Sequence, residues 1–555
     1  ECLVPVGQTI DRQLESPSSR GEIATGRAER LAPFVPGLTV TIYGSNLSTM
    51  CTNTAPEAEW TGWFQDYPPF SPTTTRAVAG EVARSELEWF VCNCYGGRTA
   101  HAGGCASGPL VCTTARGWES DVPEGSFVTV RDVVAAHLCT QCGTCVAACP
   151  SQAVSMAESP GGMLLPSVES GRCDECGTCV SACPGLGMDL KALPEGIDPF
   201  QGPVLKAYLG HATDVTTRAG GQSGGVGTAL ARHLLSSGLV DAVLLTVTPD
   251  DGSLGPRAVL ARSPDQVMAA SGSKYSQAGG NALLGDLVTT GPGAGAEKVA
   301  TFSLPCQTEG IEKMGRRGLP GAAVVAYRIG LFCDRSLLRT CADQMLRDAG
   351  LARGEVASLR YRSKARSGWP GEVQVITKSG EQRFFPASLR LGLKEMFTIP
   401  RCRLCFDKAN VFADIVLGDP WGISDDAAGS SVILVRTPKG EALLMEAAEQ
   451  GAIVLTEISP QLVFEHQGLL ERRWAAVGYS DIWAHMGRTC PRYEGLDLTS
   501  VLPIEGGKRR AYRRNLAINC RLAEATSPNT VARSVRRHRL IGTLRSTAAR
   551  VLRWR

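Results

Sequence analysis

Eight cysteines in two short runs are the residues of this sequence best placed to do chemistry. Residues 139–150 read CTQCGTCVAACP and residues 173–184 read CDECGTCVSACP, so both runs have the spacing Cys-x2-Cys-x2-Cys-x3-Cys-Pro. Three thiolates at this spacing fit around one face of an iron–sulfur cubane, and in two-cluster ferredoxins the fourth cysteine of each run reaches the other cluster. The runs therefore predict two [4Fe–4S] clusters and, with them, electron transfer.

The crossed position of the fourth cysteine assigns the ligands of both clusters. Gly143 and Gly177 are expected to turn the two loops, and Pro150 and Pro184 lead the chain away after the last ligand. The alternative is a pair of zinc sites, but zinc prefers a closed tetrahedron built from two Cys-x2-Cys pairs. The predicted ligands are Cys139, Cys142, Cys145 and Cys183 for the first cluster, and Cys173, Cys176, Cys179 and Cys149 for the second.

Other cysteines are spaced less informatively. Cys306 and Cys333 each follow a short apolar segment, and Cys402 and Cys405 form one Cys-x2-Cys pair. On spacing alone these four are compatible with a third iron–sulfur site, with zinc, or with buried thiols. A group near the N-terminus, accompanied by His101, matches no ligand spacing and is expected to consist of buried or free thiols: Cys92, Cys94, Cys105 and Cys112.

Length and composition restrict the class of protein. A chain of 555 residues is too long for one ordinary core, and its 43% hydrophobic and 20% charged residues are typical of a soluble multidomain protein. No apolar run reaches the roughly 18 residues of a membrane helix, and no signal peptide is recognisable. In a long chain of this kind, the 21 cysteines favour metal sites in a reducing cytoplasm over a disulfide framework.

The net charge of +3 conceals a strong asymmetry. Residues 506–555 contain fourteen Lys and Arg against Glu524 as their only carboxylate, a net charge of +13 that leaves −10 for residues 1–505. A basic amphipathic segment binds an anionic membrane or an acidic partner, whereas the alternative is a solvated, partly disordered tail. No nucleic-acid-binding motif accompanies the charge. The apolar stripe of this segment consists of Leu540, Leu544, Ala548, Val551 and Leu552.

From about residue 204 the pattern becomes α/β. A glycine-rich turn at 220–227 leads into a predicted helix at 228–237, and a second helix is predicted at 337–349. Short apolar strands alternate with such helices, which is typical of a largely parallel sheet. The strands are predicted at 242–247, 299–304, 323–329, 373–376 and 431–435.

Six short segments follow the ferredoxin-type runs in one order: Gly221–Val226, Gly272–Ser276, Leu304–Thr308, Gly330–Cys333, Cys402–Asp407 and Ala413–Asp419. In this order they resemble the beta-subunit family of coenzyme F420-reducing hydrogenases and dehydrogenases. The resemblance extends over about residues 130–475, and six matching segments in one order are more specific than any one of them.

The resemblance implies an FAD-binding α/β domain with a [4Fe–4S] cluster of its own. It assigns that third cluster to Cys306, Cys333, Cys402 and Cys405, whereas Cys341 has no counterpart in the family pattern and is expected to be a packed thiol. The implied flavin contacts lie in two of the matching segments. They are Gly221, Gln222, Ser223, Gly224 and Gly225, followed by Ser273, Lys274 and Tyr275.

The residue types in the two flavin segments are physically suitable, although they are not diagnostic. Small residues before a helix let backbone N–H groups approach a pyrophosphate, but the Gly-x-Gly-x-x-Gly fingerprint fails because Leu230 follows Gly225-Val226-Gly227. Lys274 is suited to pairing with phosphate or with negative charge on a reduced flavin, and Tyr275 to stacking. The alternative is a solvated lysine beside a core tyrosine.

The resulting expectation is a multidomain α+β and α/β protein. A ferredoxin-like two-cluster domain at 126–200 follows an unassigned region at 1–125. The flavin-binding domain has an N-terminal part at 201–290 and a C-terminal part with the third cluster at 291–500, and the basic tail occupies 501–555.

The expected function is that of a cytoplasmic iron–sulfur flavoprotein oxidoreductase. Electrons would pass between coenzyme F420, FAD and the [4Fe–4S] clusters, and then to a partner protein or a small-molecule substrate, with no catalytic residue assigned. Two alternatives stay open: a ferredoxin-dependent reductase of an organic substrate, similar to the chlorophyll reductases, and a non-enzymatic electron-carrier adaptor.

Overall fold

The computed structural model describes residues 38–43, 48–53, 127–249, 252–287, 297–496 and 506–553. The chain divides into two compact units, Glu1–Gly108 and Pro109–Arg555. In the first unit, strands β1 (Leu38–Tyr43) and β2 (Ser48–Asn53) pair antiparallel. The N-terminal cysteines 92, 94, 105 and 112 and His101 lie outside the described residues.

The two-cluster region is built from short elements around its two cysteine loops. Its first helix begins at Thr129, whose hydroxyl accepts from a backbone N–H while the Asp132 carboxylate accepts from the N-cap N–H. Gly143 and Gly177 turn the loops as predicted, with φ of 84° and 71°, and each precedes a four-residue helix. The elements are α1 (Val130–Ala135), α2 (Thr144–Ala147), β3 (Val154–Glu158), β4 (Leu164–Val168), α3 (Thr178–Ser181) and β5 (Gly187–Asp189).

An eight-stranded mixed sheet forms the centre of the second unit. Its strand order is β16-β6-β15-β14-β10-β9-β7-β8. The four strands β14, β10, β9 and β7 are parallel, whereas β15, β6 and β16 on one side and β8 on the other pair antiparallel with their neighbours. The strands are β6 (Lys206–Ala212), β7 (Ala242–Val247), β8 (Arg257–Ala261), β9 (Val299–Ser303), β10 (Val325–Leu331), β14 (Ile415–Gly418), β15 (Ser431–Val435) and β16 (Ile453–Ile458).

Helices cover the faces of this sheet because its strands are apolar on both sides. Ile433 and Val435 of β15 are fully buried and pack in one core with Leu230 and Leu234 of the helix that follows the glycine-rich turn. The helices of this region are α4 (Val215–Gly220), α5 (Val226–Ser236), α6 (Pro264–Ala269), α7 (Ala282–Asp286), α8 (Pro305–Arg316), α9 (Pro320–Ala323), α10 (Thr340–Asp348), α13 (Pro438–Glu449), α14 (Pro460–His466) and α15 (Leu469–His485).

The expected α/β alternation is confirmed in part. The strands predicted at 242–247 and 431–435 have these bounds, but the second pairs antiparallel with its neighbours. The strand predicted at 373–376 is real but lies in a separate antiparallel sheet, because the chain leaves the large sheet after α10 and returns only at β14. This excursion comprises β11 (Val356–Ser363), β12 (Glu372–Thr377), β13 (Gln382–Phe385), α11 (Ser388–Phe397) and α12 (Pro400–Arg403).

The basic C-terminal segment is helical and packs on the body where it begins. After the short strand β17 (Arg492–Glu494) come α16 (Gly506–Ala523) and α17 (Pro528–Arg553). Leu516, Leu522 and Val531 are fully buried in two core clusters, so α16 and the start of α17 are structural parts of the unit rather than a solvated tail. No described helix is long and apolar enough to cross a membrane.

Candidate functional site

The crossed sets of four cysteines line two separate cavities. Cys183 from the second run lies with three cysteines of the first run, and Cys149 from the first run lies with three of the second. This is the grouping that the spacing predicts for a two-cluster ferredoxin. The first cavity is lined by Cys139, Cys142, Cys145 and Cys183, and the second by Cys149, Cys173, Cys176 and Cys179.

The donor sets of the two cavities fit iron–sulfur clusters. Among the described residues, no three His, Cys, Asp or Glu side chains converge where a single metal ion would bind. Sulfurs spread around a cavity wall suit a cubane, in which each iron takes one cysteine. Burial, then the neighbouring Cys183, raises the pKa of Cys139, and burial raises that of Cys183 to about 11. Iron would have to displace the thiol protons on binding.

The two cavities differ in their exposure to solvent. Cys139, Cys142, Cys145 and Cys183 are all buried, whereas Cys176 in the second cavity is exposed. A group held in the second cavity therefore lies nearer to the surface and to any docking partner.

The other four predicted cysteines come together at the carboxyl edge of the parallel strands. Cys306 is the second residue of α8, directly after β9, and Cys333 follows β10, which is the neighbour of β9 in the sheet. Cys402 belongs to α12 and Cys405 follows it. We call these four residues, Cys306, Cys333, Cys402 and Cys405, the third site.

The thiols of the third site interact electrostatically with one another. Burial raises the pKa of Cys333 well above its usual value, and Cys402 and Cys405 add to the increase. The pKa of Cys405 rises to about 12, through burial first and then Glu309. Cys341, in contrast, is buried in the apolar core, as expected for a packed thiol.

The third site adjoins the first cavity. After burial, the largest contribution to the raised pKa of Cys306 comes from Cys142, a first-cavity cysteine, ahead of Cys402 and Cys333. The Asn281 side chain fixes this junction by donating to Thr144 Oγ1 at 2.9 Å and to the Gln307 carbonyl at 2.8 Å. Its backbone N–H also donates to the Cys142 carbonyl at 3.1 Å. The first loop and helix α8 are therefore held by one residue.

The first cavity also adjoins the second. The pKa of Cys145 is raised by burial, then by its first-cavity neighbours, and further by Cys179 of the second cavity. The three cysteine groups thus form a continuous series: the third site, the first cavity and the second cavity.

The glycine-rich loop lies at the same edge of the sheet as the third site. Gly225 has φ of 75° and precedes α5, and a Cβ on Gly224 would lie 2.6 Å from the Gly210 carbonyl of β6. Close packing alone therefore accounts for these glycines. Gln222 is different, because both polar atoms of its side-chain amide are buried and have no hydrogen-bond partner among the described residues. An unsatisfied buried amide favours a ligand that offers both a donor and an acceptor.

A carboxylate connects this loop to the end of β14. Asp419 accepts a hydrogen bond from the Ser223 hydroxyl and two from the Arg362 guanidinium, at 2.6 and 3.1 Å. Trp369 Nε1 donates to the same carboxylate at 3.0 Å. Burial alone would raise the pKa of Asp419, but Arg362 and the other donors lower it, so the group is ionised at neutral pH.

The second flavin segment reaches the same arginine through Tyr275. Arg362 interacts with the Tyr275 side chain, and the ring of Tyr275 lies edge-on to that of Tyr361, 5.2 Å away. Lys274 Nζ instead donates to the carbonyls of Ala270, Ser271 and Gly272, at 2.5–3.1 Å, at the end of α6, beside Ser273. Burial lowers the pKa of Lys274 to about 7. In this structure Lys274 closes a helix end rather than facing open space.

Sequence reasoning missed three residues of this neighbourhood. Arg362, Lys364 and Trp369 lie on or just after β11, in the excursion that leaves the large sheet. None of them belongs to a recognisable motif, and only the fold brings them to Ser223 and Asp419.

Comparison with known families agrees with this geometry. Residues 207–284 match the coenzyme F420 hydrogenase/dehydrogenase beta subunit N-terminal domain, and residues 296–461 match its C-terminal domain. Residues 138–188 match a 4Fe-4S dicluster domain. The chain therefore carries both domains of the coenzyme F420 hydrogenase/dehydrogenase beta-subunit family, together with a 4Fe-4S dicluster domain. All four cysteines of the third site lie within the C-terminal family domain.

Relatives in this family differ in length and in named activity. The coenzyme F420-dependent sulfite reductase of Methanocaldococcus jannaschii is 25% identical over 59% of this chain and 49% of its own length, so the chain spans about half of that relative. The coenzyme F420 hydrogenase subunit beta of Methanococcus voltae is 29% identical over 46% of this chain and 85% of its own. The chloroplastic 7-hydroxymethyl chlorophyll a reductase of Oryza sativa is 28% identical over 36% of this chain and 40% of its own length.

A solved structure of a relative is also similar. In the F420-reducing [NiFe] hydrogenase complex from Methanosarcina barkeri, the matching chain is 24% identical, with a TM-score of 0.39 over 50% of this chain and 94% of that one.

Replacing one crossed cysteine tests the assignment of the first cavity. We expect Cys183→Ser, purified anaerobically, to lose about four iron atoms and four sulfides per chain relative to the unmodified protein, because one cubane loses a ligand. Cys341→Ser is the matched control, since Cys341 is equally buried but packs in the core. Equal iron contents in the two variants would contradict the assignment of Cys183.

Proposed function

We propose that this iron–sulfur oxidoreductase is a flavoprotein that passes electrons between coenzyme F420 and FAD, and then through three [4Fe–4S] clusters to a redox partner. The observation that carries the proposal is the series of three adjoining cysteine groups, the first of which lies at the same edge of the sheet as the glycine-rich loop. The proposed order is flavin, third site, first cluster and second cluster, with no direction assigned.

The order in which the three cysteine groups adjoin one another supports electron transfer along this series. Cys142 and Cys306 connect the first cavity to the third site, and Cys145 and Cys179 connect the two ferredoxin-type cavities. Cys176 gives the series an exposed end, at which a partner would exchange electrons. Relatives named as hydrogenase and dehydrogenase subunits support a protein partner.

The residues around Asp419 fit a flavin in chemical type. Gln222 offers an unpaired amide, Ser223 a hydroxyl and Tyr275 an aromatic ring, and all three lie at or next to side chains that contact Arg362 or Asp419. A flavin exchanges two electrons with a hydride carrier and single electrons with clusters. It would therefore connect two-electron transfer from coenzyme F420 to one-electron transfer through the clusters. The protein's contribution is to fix the ring position and to keep Asp419 ionised and paired.

A second candidate function is a reductase that receives electrons from a ferredoxin and delivers them to an organic substrate. The likeness to the 7-hydroxymethyl chlorophyll a reductase of Oryza sativa favours it. In that case electrons would enter at the exposed second cluster and leave at the flavin. The prediction of a cytoplasmic location rests on the cysteine usage and is common to both functions.

Anaerobic donor screening tests the proposed function. After iron, sulfide and flavin are counted, we expect reduced coenzyme F420 to bleach both the flavin and the cluster absorbance of the full-length protein. Bleaching by reduced ferredoxin alone would replace the proposal with the second candidate. A protein that retains clusters but no flavin would contradict both and would be an electron-carrier adaptor.

Lys313 provides a test of whether a cluster occupies the first cavity. Its ammonium donates to the Cys183 carbonyl at 2.8 Å and to the Gly187 carbonyl at 3.0 Å, so it places a partly buried positive charge beside the first cavity. Lys313→Gln removes that charge, and we expect one cluster to be reduced at a more negative potential. Arg317→Gln on the exposed side of the same region is the control. An unchanged potential in Lys313→Gln, measured by a redox titration followed by EPR, would contradict this prediction.

A further inference from the structure

A pair of packed tryptophans lies beside the candidate flavin site, and one of the two is exposed. The ring centroids of Trp369 and Trp421 are 4.8 Å apart, with their planes inclined by 46°. Trp369 is buried, whereas 39% of Trp421 is exposed, and Trp421 lies two residues after Asp419 at the end of β14. Ligand sites are lined mainly by hydrophobic and aromatic side chains with a few placed polar groups, and Trp421 brings an aromatic face to the edge of such a polar group.

Several contacts hold this surface in place. The Arg362 guanidinium lies over the Trp421 ring, 5.4 Å from its centroid, while both of its terminal nitrogens donate to Asp419. The Asp419 carbonyl accepts from Gln467 Nε2 at 2.7 Å, and Trp369 is fixed to the Asp419 carboxylate through its indole N–H. Trp421 therefore stands on a rigid base of one arginine and one tryptophan, with its remaining surface exposed.

The charges near this surface favour an anion. Lys364 Nζ donates to the carbonyls of Arg218 and Ser223 at 2.7 and 2.6 Å, and Arg218 pairs with Asp426. Among the side chains joined by these contacts, the three cations Arg218, Arg362 and Lys364 exceed the carboxylates Asp419 and Asp426 by one positive charge. The exposed Asp425 stands next to Asp426 as a further carboxylate. These cations are already hydrogen-bonded, and they would attract an anionic chain mainly through their field.

We propose that Trp421 is the stacking platform on which a planar tricyclic electron carrier with an anionic side chain docks. The inference rests on the proposed function. In it, coenzyme F420 is the carrier that binds and leaves, and it docks at Trp421. The resident flavin is held separately, at the loop of Gln222 and Ser223. An aromatic face offers a planar ring both dispersion and offset stacking. The excess positive charge assists the anionic side chain of the same ligand.

Flavins and deazaflavins both have a planar ring that can stack on Trp421. The experiment must therefore distinguish binding of one from binding of the other. The full-length protein, purified anaerobically with its flavin counted, is titrated with oxidised coenzyme F420 while the fluorescence of the ligand is followed. The same titration is repeated with FMN and with the deazaflavin chromophore lacking its phosphate-containing chain. The variants are Trp421→Leu, the conservative Trp421→Phe, and Leu470→Ala as a control at another exposed apolar residue.

Stacking of a ring on one aromatic side chain contributes about 1–3 kcal/mol, or roughly 5- to 150-fold in affinity. We expect Trp421→Leu to weaken binding of coenzyme F420 and of its chromophore by about fivefold or more, with an unchanged flavin content. Trp421→Phe should retain most of the affinity, and Leu470→Ala all of it. If the charges contribute, the full ligand binds more tightly than its chromophore at low salt, and high salt removes that difference.

Each contrary result is distinguishable. Equal affinities for coenzyme F420 in the unmodified protein and in Trp421→Leu would overturn the platform while leaving the proposed function intact. Loss of the resident flavin in Trp421→Leu would assign the platform to that flavin and overturn its assignment to the exchangeable carrier. If the unmodified protein binds only FMN, or neither ring, both the platform and the proposed function are wrong.

Discussion

The contact between the first cysteine loop and helix α8 is the constraint on which the rest of the structure depends. Asn281 bridges the two, and a Cβ on Gly310 of α8 would lie only 2.1 Å from Thr144 Oγ1. The helix therefore approaches the loop as closely as a glycine permits. Without this approach, the ferredoxin-type region and the third site would be separate metal centres on one chain, and no path between them would follow from the fold.

Helix α8 serves two sites at once because of its length and position. Cys306 in its first turn belongs to the third site, and Lys313 two turns later binds the backbone at Cys183 and Gly187. Glu309 lies between them, and burial, followed by the nearby Asp407, raises its pKa to about 8. The increase favours the protonated form of Glu309 and so reduces the negative charge beside the buried cysteines.

Local spacing made the ferredoxin-type cysteine groups predictable, whereas the surroundings of the candidate flavin site depend on tertiary contacts. The crossed grouping of Cys149 and Cys183 follows from the ligand pattern of two-cluster ferredoxins, and the third-site cysteines could be grouped only through the family resemblance. Arg362 and Trp369, in contrast, reach Asp419 from a small antiparallel sheet that the apolar pattern at 373–376 did not distinguish from the large one. The sequence around Lys274 suited a phosphate contact equally well, but the carbonyls at the end of α6 bind its ammonium.

The central claim is that the third site lies on the path between the flavin and the ferredoxin-type clusters. Anaerobic stopped-flow reduction of Cys306→Ser by reduced coenzyme F420 tests it most directly, with the two-cluster signals verified by EPR after chemical reduction. The account predicts that the flavin is bleached as in the unmodified protein while the two ferredoxin-type clusters stay oxidised. Reduction of those clusters at the unmodified rate would contradict it.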